Sequence, residues 1–415
     1  MKDYEAYAET NSRKNIMLIG IAGVFCAVVA AIGVVAIFVG ADLFGVGENT
    51  EAQGNSDSAE HTDAGPAITP DGEQIEIGIA YGTEKERWLK EAVTEWEKTP
   101  GARQVKVNLI PMGSIEGAHA VLAEDKRIHV WSPASSVYKD SFKVDWQLKF
   151  NGNPFYAEDI LAISPMVFVM WEERYQEFIA KYGEVSFSTI EQALNEPGGW
   201  DAIAGKSDWG LFKFGHTHPN KSNSGLVSLI LMAYDYHKKI KELTLKDILD
   251  PDFQTWFESL EKGVDYSVHS TGTLMKRMVQ MGPSKFDCVM VYENVAMENV
   301  ATAAGRWGDI RVVYPERNVL NDNPYYILNV PWSDDAHKKA AKVFLDFLMS
   351  ERIQRLSLNH GFRPGNVRVP IKFAGSMFND LAGYGIKVDL NTVCEPPTGA
   401  VLTNIQDNWQ RRHGR

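Results

Sequence analysis

The sequence predicts an α/β fold, a largely parallel sheet with helical crossovers, preceded by one N-terminal transmembrane helix. Three observations carry the prediction. Runs with strand patterning alternate with runs at helical spacing from residue 75 onward. Residues 16–41 are uncharged and made of Ile, Val, Ala, Gly, Phe, Leu and Met. Residues 45–72 are rich in Gly, Ser, Asp, Glu, Asn and Ala with almost no large apolar side chain, a composition that cannot offset the entropy of ordering.

Residues 16–41 exceed the roughly 20 apolar residues that a bilayer crossing requires. Arg13 and Lys14 precede this stretch and Asp42 follows it, so residues 1–15 are expected to stay cytoplasmic and the rest to be translocated. A cleavable signal peptide is the rival reading, but its apolar core would run to only about 7 to 15 residues. Cys26 follows the bulky Phe25, unlike a lipoprotein processing site, and reads as an ordinary membrane-embedded cysteine. Residues 42–72 read as a flexible linker that lets the following domain roam about 30 Å from the membrane.

Beyond the linker, residues 75–81 alternate apolar and polar and end at Gly82, a strand, and residues 84–98 carry Trp88, Leu89, Ala92, Val93 and Trp96 at helical spacing. Residues 105–110 form a second strand running into Met112-Gly113-Ser114, then residues 118–123 look helical, and residues 128–131 form a third strand stopping at Ser132-Pro133. Further strands are expected at 162–170, 209–214, 288–292 and 310–314, with helices at 226–236 and 336–349. In such sheets ligands gather where strands end and helices begin. Four polar loops have that placement: Gly82-Thr83, Gly113-Ser114, Ser132 with Ser135 and Ser136, and residues 216–225.

Composition narrows the function. With 415 residues, 44% apolar and 11% aromatic, the chain can bury one sizeable core and has material for two. A formal net charge of -12 and the lack of a basic run argue against nucleic acid as a partner. Of three cysteines, Cys288 and Cys394 are the sole disulfide candidates outside the apolar segment, and buried free thiols are the competing reading.

The runs MGSIEGAHAV, HVWSPASSVY, SPMVFVMWE, FGHTHPNKSNSGL, VMVYENV, NPYYILNVPW and GFRPGN, in that order, resemble bacterial extracellular solute-binding proteins of the sulfate- and molybdate-binding type that serve ABC importers. They look especially like a branch often joined to a von Willebrand factor A domain, although no such domain follows here. The resemblance spans about residues 75–412, and HTHPNKSNSGL is its most specific piece. It implies a periplasmic-binding-protein type II fold, with lobe 1 at residues 73–164 and 323–415, lobe 2 at residues 165–322, and a ligand cleft between them. It also implies ligand-binding roles for Thr83, Ser114, Ser132, Ser135, Ser136, Asn220, Ser222, Asn223, Ser224, Tyr292 and Glu293.

Each chemical signal has a plainer rival. Ser222-Asn223-Ser224-Gly225 ahead of an apolar helix is an N-terminal capping pattern, and the same loop suits an anion, because hydroxyl and amide donors complement negative charge without a buried cation. His216 and His218 would share a face if extended, yet no third metal ligand has suitable spacing, so they read as structural and no metal is expected. Tyr325-Tyr326 invites a ferric reading, but neighbours in a strand point to opposite faces, which favours packing. Ser136 and Lys139 match a serine-lysine spacing of penicillin-interactive enzymes, without the accompanying Ser-Asp-Asn or Lys-Thr-Gly. Arg363 reads equally as an anion ligand or a loop brace, and Trp88, Trp96, Trp146 and Trp256 read as packing residues. No catalytic constellation, and so no enzyme or cofactor, is expected. The reading is a membrane-anchored, extracytoplasmic binder of a small molecule or oxyanion that partners an ABC permease. The alternative is an anchored sensory or protein-interaction scaffold on the same fold, with another membrane protein as partner.

Overall fold

The computed structural model describes residues 72–390 and 392–414. The expected span at residues 16–41 lies outside them, as does the linker up to residue 71; among the described residues no helix is long and apolar enough to cross a membrane. The strands, in chain order, are β1 Ile75–Tyr81, β2 Val105–Pro111, β3 Val130–Ser132, β4 Phe155–Ile160, β5 Ala162–Trp171, β6 Phe214–Gly215, β7 Cys288–Tyr292, β8 Ile310–Val313, β9 Arg317–Asn318, β10 Leu320–Asn321, β11 Pro324–Leu328, β12 Arg363–Pro364 and β13 Thr392–Val393. Helices that shape the site are α1 Glu86–Trp96, α2 Ser114–Leu122, α3 Lys139–Lys149, α4 Asn223–Tyr236, α5 Thr271–Met281, α6 Asp335–Leu348 and α7 Gly399–His413.

Among the described residues two main sheets form, in the orders β2-β1-β3-β11-β4 and β10-β5-β7-β6, with β8 and β12 also paired to β5. The chain leaves the first sheet through Leu161, between β4 and β5, and returns through Asp322-Asn323, between β10 and β11. Because the outgoing and returning segments run side by side in opposite directions, β4 and β11 pair antiparallel, and so do β5 and β10. Within these two sheets only β2-β1-β3 and β6-β7 are parallel, and the separate β9-β13 pair is parallel as well. The sheets are therefore mixed, which corrects the expectation of a largely parallel arrangement.

Local patterning explains most elements. The α1 face of Trp88, Leu89, Ala92 and Trp96 is buried, and the two indole N–H groups are satisfied by the Ile353 carbonyl at 3.3 Å and the Val105 carbonyl at 3.1 Å. Tyr325 and Tyr326 of β11 do point to opposite faces. The first joins the buried cluster that holds Ile77, Trp88 and Phe344, whereas the second stacks on Phe155 and sits beside Trp131. The strand expected at residues 209–214 shrinks to β6. Ser207–Trp209 is a 3₁₀ turn, Gly210 adopts φ 70°, and the Arg174 guanidinium lies 3.3 Å from the Trp209 ring centroid, so the first half of the run is drawn into a cation–π turn. Cys288 and Cys394 are buried free thiols.

From residue 363 onward the chain does not stay with the first sheet. β12 pairs with β5, β13 pairs with β9, and α7 packs against α3 and α4 and against the short helix Leu245–Ile248. At the crossing, Gly365 lies so close to the Ile160 and Leu161 carbonyls that a Cβ there would run into both. β11 and α6 pack with the first sheet, whereas the segment from β12 onward touches both halves.

Candidate functional site

Where the strand ends of the two halves face each other, a cavity of about 40 Å³ is lined from one side by Gly82, Thr83, Glu84, Gly113 and Ser114. The other side supplies Lys221, Ser222, Asn223, His269, Ser270, Thr271, Gly272 and Tyr292. The cleft is shut. Gly113 comes so near the Lys221 carbonyl that a Cβ would sit 3.4 Å from it, and the Asn294 amide donates across to the Glu84 carbonyl at 3.3 Å. Such a space holds about three water-sized atoms.

Four helical N-termini converge here. The 3₁₀ turn Thr83–Lys85 continues directly into α1 and starts at Gly82; α2 starts at Gly113, α4 at Ser222 and α5 at Ser270. None of these four starting residues caps its helix with a side-chain hydrogen bond. Their first-turn N–H groups lack intrahelical acceptors and carry the positive end of the helix dipole, so together they make a site for negative charge. On α2 the Glu116 carboxylate accepts from the Gly113 N–H at 3.1 Å, leaving the following N–H groups for the cleft.

The expected residues divide into two groups. Thr83, Ser114, Ser222, Asn223 and Tyr292 line the cavity. The Ser114 hydroxyl already accepts from the Ala134 N–H at 3.0 Å, and Tyr292, 2% exposed, accepts from the Asn223 amide at 2.9 Å. Burial, aided by Glu84, lifts the Tyr292 phenol well above its ordinary range, so it remains a donor. Ser132, Ser135, Ser136, Asn220, Ser224 and Glu293 are not on the cavity wall. Ser135 caps a 3₁₀ turn through the Val137 N–H, and Ser224 bonds the Thr217 and Thr271 hydroxyls at 2.8 and 2.6 Å. Asn220 donates to the Gln410 side chain of α7 at 2.8 Å. The Ser132 hydroxyl is wholly buried with no partner among the described residues, next to Tyr81 in register. The Ser136 N–H donates to Asp322 at 2.7 Å, and Ser136 lines a separate cavity of about 610 Å³ with Lys139, Asp140, Glu158 and Asp159.

Glu293 is fully buried and held by Arg363 through two contacts of 2.8 and 2.7 Å, with the Tyr314 hydroxyl as a further donor. Burial makes its carboxyl a weaker acid than usual, and the Arg363 guanidinium opposes that. Arg363 also donates to the Lys387 and Val388 carbonyls, so this pair braces the C-terminal segment. The plainer reading of Arg363 therefore describes its contacts.

The loop ahead of α4 is held from behind. His216 Nδ1 lies 2.8 Å from the Thr217 carbonyl and Nε2 lies 2.8 Å from Glu261, with both His216 and Glu261 fully buried. Glu261 also accepts from the Tyr266 hydroxyl at 2.6 Å and from Trp409 of α7 at 2.9 Å. Burial depresses His216, but the Glu261 carboxylate outweighs it and keeps the imidazole above its ordinary value. The His218 ring packs against Trp409. No group of three metal-ligating side chains occurs among the described residues.

Sequence reasoning missed Glu84, His269, Ser270, Thr271 and Gly272, and reached Lys221 only as part of the polar loop at residues 216–225. Ser270-Thr271-Gly272 precedes Leu274, Met275, Met278 and Val279, the same polar start before an apolar helical face that marked Ser222-Asn223-Ser224, and that signal was legible. Glu84 carries no such signal. Also unforeseen is Lys85, which is fully buried and donates to Glu84 at 2.6 Å, to the Pro133 carbonyl at 3.1 Å and to Asn323 of the returning crossover at 3.0 Å.

A family model described as bacterial extracellular solute-binding protein matches residues 77–363, more than half of the chain. Solved structures show the same fold at low identity. The sulfate-binding protein SubI from Mycobacterium tuberculosis H37Rv is 15% identical with a TM-score of 0.52, over 77% of this chain and 94% of that one. Iron-bound HitA from Pseudomonas aeruginosa is 12% identical with a TM-score of 0.53, over 80% and 99%. Maltose-bound MalE3 from T. maritima is 15% identical with a TM-score of 0.53, over 81% and 93%. No curated protein matches the chain in sequence.

Proposed function

The chain belongs to the bacterial extracellular solute-binding proteins, a family that binds solutes and is not enzymatic, and from that premise we propose that it captures a small anion between its two halves for an ABC-type importer. The observation that carries this reading is the convergence of four uncapped helical N-termini on one small cavity. Donors fixed by the fold stabilise negative charge without reorganising when the ligand arrives. The crossovers at Leu161 and Asp322-Asn323 are the natural hinge, since rotation about two adjacent segments opens the cleft while both sheets stay intact. Ligand then shifts the population toward the shut form by its preference for that form.

Residues 16–41 would anchor the protein in the membrane, with residues 73–415 outside the cytoplasm as lobes 1 and 2, and the linker would keep the binder near its permease. The test is calorimetric titration of the full-length protein in detergent with small oxyanions, paired with Asn223→Ala. We expect one oxyanion to bind and the substitution to weaken it at least tenfold. Binding that ignores Asn223→Ala, or no binding by any anion, refutes the assignment.

A further inference from the structure

Beside the cleft the two halves touch again, along the short helix Glu293–Met297 that follows β7 in the second half. Asn294 at its start donates to the Glu84 carbonyl of the first half, and Glu298 just past its end lies 3.3 Å from the Arg87 guanidinium of α1. The loop after the helix Glu351–Leu358, which packs on α1, is pressed against the same short helix. At Gly361, φ 73°, a Cβ would sit 2.9 Å from the Asn294 Cα and 3.1 Å from the Met297 Cβ. That seat carries the neighbouring His360 into the boundary between the halves.

Both ring nitrogens of His360 face carboxylates, one from each half. Nε2 lies 2.7 Å from Glu91 of α1, and Nδ1 lies 3.3 Å from Glu298. The imidazole and Glu298 side chains are each 15% exposed. A neutral imidazole owns one N–H, so it donates to one carboxylate and turns a lone pair on the other. The imidazolium donates to both. Loss of the proton therefore removes one bond and leaves two like charges on either side of an uncharged ring, while Arg87, largely exposed and screened by solvent, still faces Glu298. Burial depresses His360, but the Glu298 and Glu91 carboxylates outweigh it and hold the imidazole above its ordinary 6.5. Its contribution is complete below about pH 6.5 and fades as pH rises through the raised value.

Resting on the hinge closure above, but not on which ligand is bound, we propose that His360 is a pH-sensitive clasp between the halves: protonated, it ties Glu298 to Glu91 and holds the cleft shut, and deprotonated, it lets the cleft open. The clasp stands outside the cavity wall, so it changes how long a ligand is kept without choosing the ligand. Retention falls as the surroundings turn alkaline.

Full-length protein carrying Cys26→Ser, with spin labels at His119→Cys on α2 and Lys276→Cys on α5, is measured in detergent without ligand by pulsed electron paramagnetic resonance at pH 6 and pH 9.5. Both positions are exposed on helices that start at opposite walls of the cleft, so their separation follows opening. The thiols of Cys288 and Cys394 are buried. The open fraction is expected to rise at least threefold from pH 6 to pH 9.5. His360→Gln, which does not titrate, and Glu298→Gln, which removes the like charge, are each expected to cut that rise by more than half, with thermal melting as the folding control. Should His360→Gln fail to fold, Glu298→Gln carries the test. A smaller rise in the unsubstituted clasp, or more than half of it surviving in a folded variant, overturns the proposal. Neither result touches the anion reading, which stands or falls on the calorimetric titration above.

Discussion

Helix starts at the cleft and helix starts on the outer surface are built differently. The helices Phe187–Leu194, Leu245–Ile248 and Pro251–Glu261, together with α6, begin at Ser186, Thr244, Asp250 and Asp334, and each of these accepts a backbone N–H of its own first turn. The four starts at the cleft, Gly82, Gly113, Ser222 and Ser270, make no such bond. Uncapped starts also occur singly elsewhere, at Trp171, Ser350 and Thr398, but they do not converge on a common cavity. A capped start is stabilised by the chain itself, whereas an open one leaves donors for something else. Open starts also need rigid support from behind, and the Glu261 cluster supplies it for the loop leading into α4.

The largest test of that contrast removes the support. Glu261→Ala strands the buried His216 and drops the Tyr266 and Trp409 bonds, so it should lower stability by about 3–5 kcal/mol in denaturant unfolding. Oxyanion affinity should fall with it. A shift below about 1 kcal/mol would mean the loop is held by something else.

Closing an open start comes next. Gly113→Asp places a carboxylate at the α2 terminus and should weaken oxyanion binding at least tenfold, about 1.4 kcal/mol, while the melting temperature holds or rises. Unchanged affinity would show that this terminus does not face the ligand. The converse substitution is Thr244→Ala, which deletes an outer cap. It should lower stability by about 1 kcal/mol and leave ligand titrations untouched.

The smallest expected effect is a pH trend. His216 is held above its ordinary 6.5, so its contribution is complete below about pH 6.5 and fades as pH rises through the raised value. Burial works against the Glu261 charge, but His216 and the other donors hold its carboxyl below 4.5, so its contribution is present above about pH 4.5 and fades as pH falls through the lowered value. The pair therefore contributes fully between those limits. The stability gap between wild type and His216→Gln, measured by urea unfolding, should be wider at pH 5.5 than at pH 9. An equal gap would mean His216 is neutral throughout.

Much of the fold was legible because it is local. β1, α1, β2, β7 and α6 follow from alternation or helical spacing within single windows, and their bounds match the expected runs closely. The run at residues 209–214 misled because its apolar pattern is that of a strand, while the Arg174 contact that bends its first half comes from the helix Glu172–Tyr182. At the site, Thr83, Ser114, Ser222, Asn223 and Tyr292 were reachable from strand-end placement and family resemblance. Glu293 was drawn in by the same resemblance, yet its bidentate bond to Arg363, distant in sequence, is a tertiary fact.

By itself the sequence determined what depends on neighbours along the chain: which runs alternate, which faces are apolar, where polar loops precede helices, and that the charge balance is acidic. Tertiary structure alone decided which loops meet, how the two crossovers turn the sheets mixed, and why the segment from β12 onward touches both halves. It also decided that the Asn223 amide oxygen is left without a partner among the described residues. The physical reason is that hydrogen-bond satisfaction is a property of partners in space, and every partner that matters at the Asn223 amide lies at least 69 residues away along the chain.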